Sequence, residues 1–300
     1  MNILLLGGAG YIGSLFSQKS KYPIKIIDLC LFNRTFTPNL KIENYNDTDI
    51  SEADVIICLA GHSSVQMCEY SPNRSWTNNV QYFRNLCERI QKHQKLIYAS
   101  SASVYGKTSS VSSETSNINF NVLNHYDLQK ITVDLIANKY IAEGKNIIGL
   151  RFGTVNGASP NTRCDLMINS MMKAAKEKGY INAKNLKIRR AILGINDACR
   201  ALDLIIEENL EPGQYNLSSF NSNVGEIANM VSEIMKVKIV KQQDDPIAYD
   251  FELCTKKFIH ATGFIFNDNL EILVNGLQEY SSLIKFDVRD NDRYFERYMS

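Results

Sequence analysis

The sequence predicts an α/β fold, a doubly wound parallel sheet with a smaller C-terminal α/β lobe. Three observations carry that expectation. The chain opens on an apolar run, Ile3-Leu4-Leu5-Leu6, that passes straight into glycines. Strand-like apolar runs then alternate with longer helical stretches through the first half of the chain. Past Gly157 this rhythm changes, which marks off a second lobe.

Residues 3–6 read as a buried strand, and Gly7-Gly8-Ala9-Gly10-Tyr11-Ile12-Gly13 as the turn that leaves it. Helical character follows at 14–19, and Ile24-Lys25-Ile26-Ile27-Asp28 is a second strand. Further strands are expected at 55–59, 96–99 and 147–152, with helices near 76–91 and 126–143 between them. The second half predicts helices at 166–178, 198–208 and 224–235, and strands at 191–195, 213–217 and 237–240. Residues 1–156 are therefore expected to form a dinucleotide-binding domain, to which segments near 191–220 return. Residues 157–300 are expected to be mainly a substrate lobe. The tail 287–300, charged and aromatic, reads as a surface extension. Repeats and low-complexity segments are absent from the sequence.

Composition narrows the function classes. A hydrophobic fraction of 44% supports a sizeable core, and 22% charged residues suit a soluble surface. With a net charge of +1, nothing points to a nucleic-acid partner. Seven cysteines, odd in number and without paired spacing, read as reduced thiols of a cytoplasmic protein. The four histidines are too dispersed to predict a metal site. Four apolar residues at the N-terminus are too few for a signal peptide or a membrane span.

Gly7, Gly10 and Gly13 sit between a strand and a helix. Without side chains there, the backbone can approach a pyrophosphate, whose charge the helix N-terminus stabilises. An ordinary turn is the bland alternative, and the flanking strand, helix and acid weigh against it. Asp28 ends the next strand, where a carboxylate accepts hydrogen bonds from the adenosine ribose and repels a 2′-phosphate. That favours NAD over NADP, a preference Arg34 stands close enough in sequence to soften. Tyr126 and Lys130 are four positions apart and share a helical face. A nearby ammonium favours phenolate over phenol, making a proton acceptor for a sugar or alcohol hydroxyl. Ser101, at the end of an expected strand, could share that oxygen.

Several motifs recur in order: the glycine turn, Leu59-Ala60-Gly61, Asn78-Asn79-Val80, Tyr98-Ala99-Ser100-Ser101-Ala102-Ser103-Val104-Tyr105-Gly106, the Tyr126/Lys130 pair and Leu150-Arg151-Phe152-Gly153-Thr154-Val155-Asn156-Gly157. On these residues the chain resembles the extended short-chain dehydrogenase/reductases, the NAD-dependent epimerase/dehydratase family, over nearly its whole length. The resemblance implies a Rossmann domain and a site with Tyr126 as catalytic acid/base. Lys130 would anchor the nicotinamide ribose, and Ser101 would bind the reacting oxygen. Cofactor contacts are implied for Gly7, Gly10, Tyr11, Ile12, Gly13, Asp28, Ala60, Gly61, Asn79 and Ser100, with Tyr126 and Lys130. Substrate contacts are implied for Ser101, Ala102, Tyr126, Thr154, Arg163 and Arg190, the two arginines facing a diphosphate.

Sugar-nucleotide 4,6-dehydratases of this family carry two acids after the catalytic Ser/Thr strand, where this chain has Ala102 and Ser103. The wording is closer to UDP-galactose 4-epimerases. Two departures stand out: no arginine occurs in 245–250, and Thr154 replaces an asparagine of those epimerases. The implied function is a nucleotide-sugar epimerase using NAD at C4. A dehydrogenase or ketoreductase with net cofactor turnover, a small-alcohol reductase, and a non-catalytic NAD-binding protein are the alternatives. The helices near 76–91 and 126–143 are implied to pair in a homodimer. His62 is expected either to touch nicotinamide or substrate or to be a loop residue. His125 is expected to start a helix, Cys58 to be a buried strand residue, and Trp76, Tyr82 and Phe83 to pack. Asp47 or Asp49 is expected near adenine.

Overall fold

The computed structural model describes residues 1–30, 40–41, 45–121, 124–245 and 248–280. The expectations for Arg34 and for the tail 287–300 lie outside the described residues. In order, β1 (Ile3–Leu6) leads to α1 (Tyr11–Lys19), β2 (Ile24–Ile27) and β3 (Leu40–Lys41). Next come α2 (Asp47–Ser51), β4 (Val55–Cys58), α3 (Val65–Tyr70) and α4 (Pro72–Trp76). A π-turn (Thr77–Gln81) joins α4 to α5 (Tyr82–Arg89). After β5 (Lys95–Ser101) a 3₁₀ turn (Ala102–Tyr105) and β6 (Val111–Ser112) precede α6 (His125–Ala142), β7 (Asn146–Phe152) and β8 (Thr154–Asn156). The rest is α7 (Met167–Lys178), β9 (Tyr180–Ala183), β10 (Arg189–Gly194), α8 (Ile195–Glu207), β11 (Gly213–Leu217), β12 (Phe220–Asn223), α9 (Val224–Met235), β13 (Lys238–Lys241), β14 (Glu252–Leu253), α10 (Lys256–Thr262) and α11 (Leu270–Tyr280).

Among the described residues, seven parallel strands form the main sheet in the order β11-β7-β5-β4-β1-β2-β3. The chain winds one way from β1 to β3 and the other way from β4 onward. The switch point therefore lies between β1 and β4, where sheets of this kind open a crevice at their carboxyl ends. Both the glycine turn and Leu59-Ala60-Gly61 emerge there.

Alternation explains the layers. Leu4 and Leu6 face a core with Phe83 and Leu86 of α5 and with Val133 and Ala137 of α6. Ile3 and Leu5 face the opposite core with Leu15 and Phe16 of α1 and with Ala198 and Leu202 of α8. Strands buried on both faces need continuous apolar runs, and such runs are what the sequence shows. A third core, in the second lobe, joins α7, α9, α11 and β9. Two segments placed late in the sequence, α8 and β11, belong with the main sheet.

A buried polar network ties α6 to that sheet. Arg151 Nε donates to Asp134 Oδ2 at 2.8 Å, and Arg151 Nη1 to Tyr105 Oη at 2.8 Å. The Tyr98 hydroxyl donates to Asp134 Oδ1 at 2.8 Å, and that of Tyr105 to Asn216 Oδ1 at 2.7 Å.

Helix α1 starts earlier than expected, at Tyr11, because extended Gly10 is its N-cap and accepts from Ser14 N at 3.0 Å. Gly13 is thus helical, yet a Cβ there would lie 2.5 Å from Gly7 O and 2.6 Å from Gly8 Cα. Glycine-to-alanine inside a helix ordinarily gains about 1 kcal/mol. Here the clash is with backbone, so overpacking wins. Gly13→Ala is expected to cost about 1–3 kcal/mol in urea unfolding, and a stabilised variant would contradict the packing argument.

Candidate active site

One cavity of about 640 Å³ opens at the switch point. Its walls come from the carboxyl ends of β1, β2, β4 and β5, the first turn of α6, and the second lobe. Sixteen residues expected at the site line it: Gly7, Gly10, Tyr11, Ile12, Gly13, Asp28, Ala60, Gly61, Asn79, Ser100, Ser101, Tyr126, Lys130, Thr154, Arg163 and Arg190. Ala102 is the exception. The 3₁₀ turn that Ser101 caps through Ser103 N directs Ala102 inward, to 0% exposure among Val104, Tyr105 and Leu253.

At the glycine end, Gly7 adopts φ +85°, and a Cβ on it would stand 2.5 Å from Ala60 N. Only glycine lets the two walls approach so closely. Asp28 lies just past β2; its Oδ2 accepts from Ala9 N at 2.9 Å and its Oδ1 from Cys30 N at 2.7 Å. Burial raises its pKa, against those two bonds.

The opposite wall carries the reactive groups. Asn124 caps α6, its Oδ1 accepting from Asp127 N at 2.9 Å, which places Tyr126 in the first turn. Lys130 lies one turn on, its ammonium 5.7 Å from the Tyr126 ring centroid and donating to Ala99 O at 2.7 Å. Ser101 Oγ donates to Ser103 Oγ at 2.9 Å. Ser100 Oγ is buried at the cavity without a hydrogen-bond partner, a polar atom with capacity for a ligand group.

The second lobe adds a strap. Tyr11 Oη donates to Gly157 O at 2.7 Å, Ser159 Oγ to Tyr11 O at 2.6 Å, and Asn161 Nδ2 to Ala9 O at 2.6 Å. Arg163 grips Asp165 through Nε (3.0 Å) and Nη2 (2.7 Å), and gives Nη1 to Ser63 O and Oγ at 2.9 and 3.0 Å. Its fork is therefore largely spent inside the protein. Arg190, half-buried, makes a single bond, from Nη1 to Arg189 O at 3.3 Å, and burial lowers its pKa. Of the two expected diphosphate ligands, Arg190 is the one with donors to offer.

Other expectations resolve individually. His62 lines the cavity, and burial, then Arg74, lowers its pKa to about 4, so the ring is neutral at pH 7. His125 is exposed at the start of α6 and its N–H donates to Glu69 Oε1 at 2.7 Å. Cys58 lines the cavity with its thiol pushed up to about 11 by burial. Phe83 is buried against Tyr98, with ring centroids 4.7 Å apart. Asp47 and Asp49 do not reach the cavity wall. The first is exposed and pairs with Arg89, and the second is consumed in a capping box with Asn46 and a pair with Lys25. Tyr45, just ahead of them, lines the cavity instead. Tyr249 and Phe251 also line it, and sequence reasoning missed both. Only the absence of an arginine in their segment drew attention to that stretch.

The profile of the NAD dependent epimerase/dehydratase family matches residues 3–218. The UDP-glucose 4-epimerase of Mycoplasma genitalium is 27% identical over 293 residues, covering 85% of each chain. Protein CapI of Staphylococcus aureus is 28% identical over 242 residues, 71% of this chain and 72% of its own. Among solved structures, the NAD dependent NDP-hexosamine 5,6-dehydratase TunA aligns with TM-score 0.84 at 18% identity, covering 95% of this chain and 99% of that one. The UDP-glucuronic acid 4-epimerase of Bacillus cereus aligns with TM-score 0.81 at 20% identity, over 95% and 100%. At such identities an epimerase and a dehydratase align equally well, and the likeness speaks for the fold.

Proposed function

Since the chain belongs to the NAD dependent epimerase/dehydratase family, a family of enzymes that work with NAD, we propose that it epimerises a nucleotide sugar at C4. The observation that carries this reading is the composition of the reactive wall. Tyr126, Lys130 and Ser101 stand together, while the carboxylates among the described lining residues are Asp28, beside the glycine turn, and Asp165, held by Arg163. Dehydration needs a positioned acid beside the reacting carbons, and Ala102 is turned into the core. Relatives named as epimerases of UDP-glucose, of UDP-glucuronic acid and of an ADP-heptose support the nucleotide-sugar substrate class.

The cavity suits NAD on its own evidence: a close-packed glycine turn, a carboxylate at the second strand end and the unpartnered Ser100 hydroxyl. When bound, NAD supplies the acceptor that takes a hydride from the sugar and returns it. In this scheme Tyr126 accepts the C4 hydroxyl proton and gives it back, while Ser101 holds that oxygen. Lys130, its ammonium 5.7 Å from the Tyr126 ring centroid, holds the cofactor ribose, and Arg190 and Thr154 orient the nucleotide diphosphate. A hydrogen bond from a ribose hydroxyl to an ionised group contributes about 1.5–3 kcal/mol. Asp28→Asn is therefore expected to weaken NAD binding about tenfold or more in calorimetric titration and to narrow its margin over NADP. Unchanged affinity for both would remove Asp28 from the site.

Incubation with UDP-, GDP-, dTDP- and CDP-sugars, read by NMR and by NADH absorbance, tests the reaction. An epimer without net NADH is the expected result. Stoichiometric NADH would make the protein a dehydrogenase, a deoxyketo sugar a dehydratase, and no turnover or binding across the panel would overturn the reading. We also propose a homodimer through the helices of 76–91 and 126–143, a reading supported by Leu128 (38%) and Leu135 (49%), exposed seven residues apart on α6. Light scattering on a gel-filtration peak that gives only 34 kDa would dismiss it.

A further inference from the structure

Between Tyr126 and Lys130 on α6 lies Gln129, three residues after the tyrosine and only 1% exposed. Its amide is held at both ends. Nε2 donates to Ser75 Oγ at 2.8 Å, and Ser75 Oγ in turn donates to Pro72 O at 3.0 Å. Oε1 accepts from Asn79 Nδ2 at 2.7 Å and from Cys68 Sγ at 3.4 Å. Flipping the amide would set acceptor against acceptor and donor against donor, so its orientation is fixed by its partners.

Asn79 lines the cavity, but its amide is turned to the protein. Nδ2 donates to His62 O at 3.0 Å as well as to Gln129, and Oδ1 accepts from His62 N at 2.7 Å. The amide thus grips one residue of the loop after β4 by both its N–H and its C=O. Gly61, at φ +144°, could carry no side chain, since a Cβ would lie 2.5 Å from Asn79 Oδ1. Asn79 sits in the π-turn between α4 and α5. A π-turn inserts one extra residue into a helix and re-aims the side chains around it, at a cost that usually accompanies a functional site. Here the re-aimed side chain is the one that spans from α6 to the loop.

The contacts form one chain: α6 to Gln129, to Asn79, to the Ala60–Gly61–His62 loop, and from Ala60 to the glycine turn, against which Gly7 is packed. The two walls of the cavity are joined by it. We propose that Gln129 is a positioning residue, setting the distance between the cofactor-facing loop and the Tyr126/Lys130 face of the same helix. The role of Tyr126 and Lys130 rests on the function proposed above. The joining of the walls does not.

Gln129→Met keeps the volume and removes both polar ends. Three readouts separate positioning from mere support: NADH affinity by titration of its fluorescence, the melting temperature, and kcat against KM for whichever nucleotide sugar turns over. The expected result is about a tenfold loss of NADH affinity, a fall in kcat of similar or larger size and a sugar KM within about twofold. Ser75→Ala, one bond further from the cavity, is expected to give a smaller loss in the same direction. A folded Gln129→Met protein with NADH affinity and kcat unchanged, whether or not it melts earlier, overturns the proposal. If that variant does not fold, the same readouts on Ser75→Ala decide, and an unchanged NADH affinity there overturns it. NADH affinity needs no sugar, so a protein inactive on every sugar would fail the proposed function while leaving this test intact.

Discussion

Tyr126→Phe is expected to lower kcat by about 10²–10⁴-fold while NAD affinity stays within about threefold. The change deletes one oxygen and leaves the ring in the first turn of α6, where the Asn124 cap places it. Lys130 keeps its bond to Ala99 O and remains where a cofactor ribose would meet it. Loss of the hydroxyl therefore removes the proposed proton acceptor without emptying the cavity, so the loss should fall on kcat rather than on binding. Steady-state kinetics beside a calorimetric NAD titration check it. Activity within tenfold of wild type would show that Tyr126 is not the proton acceptor.

Arg151→Met is expected to cost about 3–5 kcal/mol of unfolding free energy. Arg151 and Asp134 are 3% and 0% exposed, and surface ion pairs are worth far less. Removing the guanidinium leaves a buried carboxylate with only the Tyr98 hydroxyl, and takes a donor from Tyr105. Urea unfolding measures the loss, and the double variant Arg151→Met/Asp134→Leu should recover part of it, because no charge is then left unpaired. A cost below about 1 kcal/mol would show that water reaches the pair, since that is the range of exposed pairs.

Much of the frame was legible because its signals are local. A strand buried on both faces reads as an apolar run, and 3–6 and 55–59 are continuously so, while 147–152 is broken only by Gly149 and Arg151, the latter charge paired with Asp134. The glycine turn was readable because backbone contact allows no side chain, whatever the rest of the chain does. Tyr126 and Lys130 were readable from helical spacing together with the motifs around them. What escaped depends on contacts made at long range. Ala102 follows a reactive serine in sequence, but the 3₁₀ turn after β5 points it into the core. Arg163 matches a substrate-binding pattern, yet Asp165 and Ser63 occupy its donors. Asp49 had the right chemistry for adenine and was taken by a helix cap. The π-turn has no composition of its own; within it Asn79 meets His62 and Gln129 at once. Tyr249 could not be foreseen for a similar reason. Its hydroxyl reaches Asp127 at 2.9 Å, a partner 122 residues earlier in the chain.

The strap of residues 157–165 has a thermodynamic meaning. It bonds the second lobe to Ala9 and Tyr11 on one wall of the groove and to Ser63 on the other. Groove width and lobe attachment therefore share one free-energy term. A ligand that favours the formed groove favours the docked lobe by the same amount, and a residue such as Ser159, which is not among the residues lining this cavity, becomes a determinant of affinity at a distance.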